Sequence, residues 1–119
     1  MDIKEYSKEA ERTTAKLETE LLDNLHYLSG MVTEVGELMD VYKKFMAYNK
    51  PIDLVNVQEE VGDLMWYISN FCRINNFDLE KILENNIEKL KTRYPEKFTE
   101  ENAINRNLSD ERKVLEKLA

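Results

Sequence analysis

The chain has 119 residues, with 17 Lys and Arg against 24 Asp and Glu for a net charge of −7, and a single cysteine and a single histidine. That balance excludes the basic face needed for nonspecific nucleic-acid binding. Cys72 alone cannot build a disulfide framework, and His26 alone cannot complete a Cys/His zinc site. Three glycines and two prolines leave few breaks in a background rich in Leu, Met, Glu and Lys, so an all-α fold in one domain over residues 1–119 is expected. No signal-peptide pattern and no apolar run of about 18 residues is present, which makes a soluble cytoplasmic protein the default expectation.

In chain order, residues 2 to roughly 18 read as a polar, helix-prone lead-in weakened at Thr13-Thr14. From about Leu21 to Tyr48 the apolar residues Leu28, Met31, Val35, Leu38, Tyr42, Phe45 and Met46 recur at helical spacing. At about 100° per residue from Glu34, they form a stripe expected to face the core, with Glu34 and Glu37 on its shoulder. Asn49-Lys50-Pro51 ends that helix. Asp53 or Asn56 caps the next, which runs to about Asn75. Its stripe is Val57, Val61, Leu64, Met65, Ile68, Phe71 and Cys72, and Glu60 and Asp63 again sit on the shoulder. Gly36 and Gly62 fall at equal phase, and a glycine inside a helix needs a packing or functional reason. Asp78 caps a helix to about Arg93, with Leu79, Leu83, Ile87 and Leu90 on its apolar side and Asn86, Lys89 and Arg93 sharing a shoulder. Tyr94-Pro95 stops it. Residues 96–108 read as an irregular polar strap anchored by Phe98 and Ile104, after which Ser109 caps a short final helix. The whole is expected to be an antiparallel bundle of four to five helices. Broad apolar faces on so short a chain further suggest association with other copies.

The chemistry concentrates in a repeated hexapeptide, Glu34-Val35-Gly36-Glu37-Leu38-Met39 and Glu60-Val61-Gly62-Asp63-Leu64-Met65. Acidic residues three apart share a helix face one turn apart. A lone pair of this kind reads as a solvated face. Two pairs at one phase beside a core stripe are raw material for a divalent-metal site, because four clustered carboxylates repel unless a cation offsets them, and Mg²⁺ is the natural hard cation for oxygen ligands. Di-iron bundles want Glu-x-x-His, which neither pair has.

Glu34-x-x-Glu37, a 22-residue gap, then Glu60-x-x-Asp63 resembles the signature of the all-α nucleoside triphosphate pyrophosphohydrolases, in particular the MazG-like group. Leu64-Met65-Trp66-Tyr67, the run Asn86-Ile87-Glu88-Lys89-Leu90 leading to Arg93-Tyr94-Pro95, and Arg12-Thr13 extend the likeness. The resemblance implies Mg²⁺-dependent hydrolysis of a nucleoside triphosphate to the monophosphate and pyrophosphate, in a homodimer or homotetramer. It further implies Glu34, Glu37, Glu60 and Asp63 as metal ligands and catalytic groups, with Tyr67, Asn86, Lys89 and Arg93 meeting the substrate. Each has a plainer reading. Tyr67 would be a shoulder aromatic, Lys89 and Arg93 would pair with Glu88 or Glu96 at the surface, Lys44 would be solvated, and Trp66 would serve packing or an oligomer contact. Arg106 would either stay in the strap or fold back onto a phosphate. Two alternatives compete: a phosphoribosyl-ATP pyrophosphohydrolase with nearly the same metal chemistry, and a helical regulatory module without turnover, against which the complete set of four carboxylates argues.

Overall fold

The computed structural model describes residues 1–118. Six α-helices and no strand occur among them: α1 (Ile3–Glu11), α2 (Glu20–Tyr48), α3 (Leu54–Ile74), α4 (Leu79–Arg93), α5 (Glu100–Ile104) and α6 (Leu108–Leu115), followed by a 3₁₀ turn at Glu116–Leu118. They divide into two compact units, Met1–Phe77 and Asp78 onward. No described helix is long and apolar enough to cross a membrane.

The first unit is an α2–α3 hairpin with α1 laid on α3. α1 starts in a capping box, Asp2 accepting from the Glu5 backbone N–H and Glu5 reciprocating. It ends at Glu11, seven residues short of the expected boundary, because the hydroxyls of Thr13 and Thr14 turn back onto the carbonyls of Ala10 and Glu11. Such local hydrogen bonds offer the backbone an alternative to the next helical turn. Thr19 then caps α2 through the Leu22 N–H. Asn49 closes α2 in the left-handed conformation, φ 53°, a state that asparagine tolerates better than most residues. Asp53, rather than Asn56, caps α3 by accepting from the backbone of Val55 and Asn56.

The face that α2 turns to α3 differs from the expected stripe. Asp23, Tyr27, Gly30 and Val41 are the buried residues of α2, whereas Leu28, Val35, Tyr42, Phe45 and Met46 are exposed. The helix therefore meets its neighbour with Tyr27, Gly30 and Glu34, and leaves most of its aliphatic stripe outside. α3 contributes Glu60, Ser69, Asn70 and Cys72 to the buried set. Cys72 is a small core residue, as its apolar surroundings suggest, and burial pushes its thiol pKa up. Ser69 donates to Ser7 of α1 at 2.9 Å, and the Trp66 indole N–H donates to Thr13, just past the end of α1, at 2.8 Å.

The glycines divide unexpectedly. A Cβ at Gly36 or Gly62 would meet nothing within 4 Å, so neither is held by packing within the chain. The close approach is at Gly30, where a Cβ would collide with the ring carbons of Tyr67. Tyr67 is thereby seated in an aromatic group with Trp66, Tyr27 and His26, its ring edge-on to Trp66 at 4.9 Å.

In the second unit Asp78 caps α4 as expected, and α4 packs on α6. The strap is more regular than its composition suggested, since Thr99 caps the single-turn α5 through the Asn102 N–H. Asn107, not Ser109, caps α6, accepting from the Asp110 N–H at 3.1 Å and leaving Ser109 inside the first turn.

Candidate metal centre

Antiparallel pairing of α2 and α3 brings the two repeats of the hexapeptide side by side. Carboxylate oxygens of Glu34, Glu37 and Glu60 all lie within 4.8 Å of one another. Glu60 is 7% exposed, Glu34 half-buried and Glu37 exposed, so the group opens to solvent on one side. One oxygen each of Glu34 and Glu60, Oε2 in both, is buried with no hydrogen-bond partner. A buried acceptor left unpaired costs on the order of 1–3 kcal/mol, more when charged, and needs an explanation. The same crowding shows in acidity. Contact with Glu60 pushes the Glu37 carboxyl above the ordinary value, and contact with Glu34, then burial, raises Glu60.

Asp63, one turn beyond Glu60, is exposed and lies outside this tight trio, though its charge adds to the upward pressure on Glu37 and Glu60. It also acts on α1: the Tyr6 hydroxyl, which donates to the Gly62 carbonyl at 3.5 Å, has its pKa raised by burial and then by Asp63.

Beside the trio an open groove of about 530 Å³ runs along α2, lined by Thr33, Gly36, Glu37, Asp40, Lys44, Asn56 and Glu60 among others. Lys44 enters it paired to Asp40 at 2.8 Å, which lowers the Asp40 pKa and raises that of Lys44. A second cavity, about 330 Å³, lies at the other end of the hairpin between Thr14–Lys16, Asp23, Tyr27 and Arg73.

The donor set suits a hard divalent cation. It is all oxygen, it is anionic, it includes two residues that each carry a buried acceptor without a partner, and Glu37 leaves it an exposed side. No cysteine or histidine belongs to the cluster. The ion would supply Lewis-acid polarisation of a phosphoryl oxygen and a lowered pKa for a bound water.

The other candidates fall in the second unit. On α4, Asn86 is exposed, Lys89 half-buried, and Arg93 committed: its Nε and Nη2 both donate to Glu111 Oε1, at 3.1 and 2.7 Å. Arg106 donates to both oxygens of the same carboxylate, from Nε at 3.1 Å and from Nη2 at 3.2 Å. Glu111 is 2% exposed. In the sequence Glu111 is only an acidic residue near the start of the last helix, and no local spacing marks an ion pair made 18 positions away.

Against known proteins, the family profile described as MazG nucleotide pyrophosphohydrolase domain matches residues 22–98, a stretch that contains both acidic repeats and α4. No curated protein and no solved structure is detectably similar to the chain. The match covers well over half of the sequence and centres on the helices that assemble the carboxylates, so the chain belongs to the MazG nucleotide pyrophosphohydrolase family.

Proposed function

We propose that the chain hydrolyses a nucleoside triphosphate, (d)NTP, at the bond between its α- and β-phosphates, releasing the monophosphate and pyrophosphate in a Mg²⁺-dependent reaction. The observation that carries this reading is the pair of unpartnered buried oxygens on Glu34 and Glu60 inside a MazG domain. Glu34, Glu37 and Glu60 would hold the cation, with Asp63 completing the set. Mg²⁺ fits such oxygen donors because it keeps several waters and binds through a few carboxylates plus substrate phosphates.

Glu37, the exposed member, is positioned to accept a proton from the water that attacks the α-phosphorus in line. The water oxygen bonds to phosphorus as the bridging oxygen leaves with pyrophosphate. Glu60, fixed in the α2–α3 contact, orients the set and keeps its geometry rigid. Tyr67, Asn86, Lys89 and Arg93 are proposed as substrate-binding residues from their match to the family's polar positions, and Arg93 would exchange Glu111 for a phosphate. Residues 1–119 would act as one functional domain, a reading supported by a family match that runs from the first compact unit into the second. It would act in the cytoplasm, where nucleoside triphosphates are held, as a homodimer or homotetramer.

The test is pyrophosphate release from a panel of normal and modified (d)NTPs, with Mg²⁺ and with EDTA, beside a Glu34→Ala control. Release that needs the metal and vanishes in the control supports the proposal, and the ranking of substrates names the preferred base and sugar. Absence of release from every triphosphate overturns it.

A further inference from the structure

The cavity at the far end of the hairpin has polar groups that nothing in the chain uses. It encloses about 330 Å³ between the α1–α2 connection, the first turns of α2 and the end of α3, a size that suits a small ligand. Asp23, which lines it, lies roughly 16 Å along α2 from Glu34 at about 1.5 Å per residue, so the cavity is separate from the carboxylate trio.

Two of its lining side chains are polar, deeply buried and only partly satisfied. Asp23 is 7% exposed; its Oδ1 accepts from the Leu17 backbone N–H at 2.8 Å, and its Oδ2 has no partner among the described residues. Tyr27 is 2% exposed, with its ring enclosed by His26, Trp66 and Tyr67. Its hydroxyl makes no hydrogen bond among the described residues. Neither atom is sealed from solvent as the free oxygens of Glu34 and Glu60 are, so each opens on the cavity that its residue lines. A buried carboxylate and a buried tyrosine hydroxyl both need partners.

The third group is Arg73. Its Nε donates to Asn70 Oδ1 at 3.2 Å, and Asn70, wholly buried, is itself held by donating to the Trp66 carbonyl at 3.0 Å. The guanidinium is thus fixed from behind. Its terminal nitrogens make no hydrogen bond among the described residues, and its ion pair with Glu11 is loose, at 3.8 Å. A fixed guanidinium with both ends free is the fork that takes a carboxylate through two parallel bonds.

Charge narrows the occupant. Lys16 and Glu20, both exposed, add one charge of each sign, so the ionised side chains of the lining sum to zero. A metal ion there would face Arg73 and Lys16, and a simple anion would face Asp23 and Glu20. A nucleobase would find no free aromatic face, because that of Tyr27 is spent on its neighbours. An unsatisfied acidic acceptor beside a free cationic fork instead matches a small molecule that carries both an ammonium and a carboxylate.

We infer that this cavity binds a free amino acid as its zwitterion. Arg73 takes the carboxylate, Asp23 Oδ2 accepts from the ammonium, and the Tyr27 hydroxyl donates to the carboxylate beside Arg73. The inference does not rest on the catalytic reading.

Isothermal titration calorimetry on the full chain, without metal or nucleotide, against each common L-amino acid in turn tests it. At least one is expected to bind saturably. Its methyl ester and its N-acetyl derivative each lose one charge and are expected to bind more weakly by about tenfold or more. Sodium acetate and methylammonium chloride should give no saturable heat. Arg73→Gln should weaken binding by about tenfold and no longer distinguish the amino acid from its ester. Tyr27→Phe keeps the ring packing and should weaken binding several-fold, with helical circular dichroism retained in both variants. Absence of saturable binding by every amino acid overturns the inference. An ester or N-acetyl derivative that binds as tightly as the amino acid overturns it too, because the ligand is then not read by both charges. Affinity unchanged in both variants likewise overturns it, since the ligand then sits elsewhere. Should Arg73→Gln lose its helical signal, the derivatives measured on the unaltered chain decide.

Discussion

Glu60 is a carboxylate buried on the inner face of α3 with one oxygen unpaired and two other glutamates at its side. Without a cation this arrangement works against folding, because three acceptors crowd together and none can donate unless a proton is retained. Glu60→Gln removes one charge and supplies an N–H₂ that can donate to Glu34. The variant is therefore expected to melt higher than the parent in EDTA, and to lack the rise in Tm that the parent should show if Mg²⁺ or Mn²⁺ binds its native state as proposed. Pyrophosphate release should fall by more than the roughly 100-fold that follows loss of a residue behind a metal ligand. Thermal melts with and without metal, read beside activity, check both halves. A variant that is less stable without metal would mean that the trio is held by something other than a cation.

At the scale of the helices, the fit between α2 and α3 depends on Gly30 and not on the glycines of the repeat. Gly30→Ala drives a methyl group into the Tyr67 ring, and overpacking of this kind costs typically about 1–3 kcal/mol. Gly62→Ala meets open space within a helix and should stabilise by roughly 0.5–1 kcal/mol through the unfolded chain. Urea denaturation of the two variants should thus move in opposite directions, and combining Gly30→Ala with Tyr67→Leu should recover part of the loss. This distinction was not legible in the sequence. All three glycines sit inside a helical pattern, and only the place where a tyrosine from the other helix lands tells them apart. The acidic repeat was legible because both copies lie within single helices, where spacing alone fixes the phase. Its orientation was not. The most apolar stripe of α2 was expected to face inward, yet the α3 contact is made by Tyr27, Gly30 and Glu34 while Leu28, Val35 and Met46 stay exposed. Periodicity reports that a face is apolar, and it cannot report whether the covering partner is in the same chain. The same limit applies at the end of the chain: Thr99 and Asn107 are ordinary capping residues, but their caps depend on where the strap bends.

Across the whole molecule the two compact units carry glutamates whose proton affinities are shifted in opposite directions, and this gives them opposite responses to acid. In the first unit the pKa of Glu37 is raised by Glu60 and that of Glu60 by Glu34 and then burial. Between the ordinary value and the raised one, the folded unit binds more protons than the unfolded chain. Its metal-free stability therefore rises as the pH falls through that window, and declines again toward neutrality. In the second unit Arg106 and Arg93 hold the Glu111 carboxyl below the ordinary glutamate value near 4.5. There the unfolded chain binds more protons, so the stabilisation is present above the ordinary value and is lost as the pH falls through the lowered one. Glu111 joins α6 both to α4, through Arg93, and to the preceding strap, through Arg106, so its protonation releases that end of the unit at both contacts. Hydrogen exchange in EDTA, stepped from neutral pH to below the ordinary glutamate range, should show α2 and α3 amides slowing first, after correction for intrinsic exchange, and α6 amides then losing protection. Mg²⁺ should flatten the first response and leave the second unchanged, because a cation held by Glu34, Glu37 and Glu60 as proposed would compete with protons there and would have no part in the Arg93–Glu111–Arg106 group. If metal altered both responses equally, the carboxylate trio would not be its site.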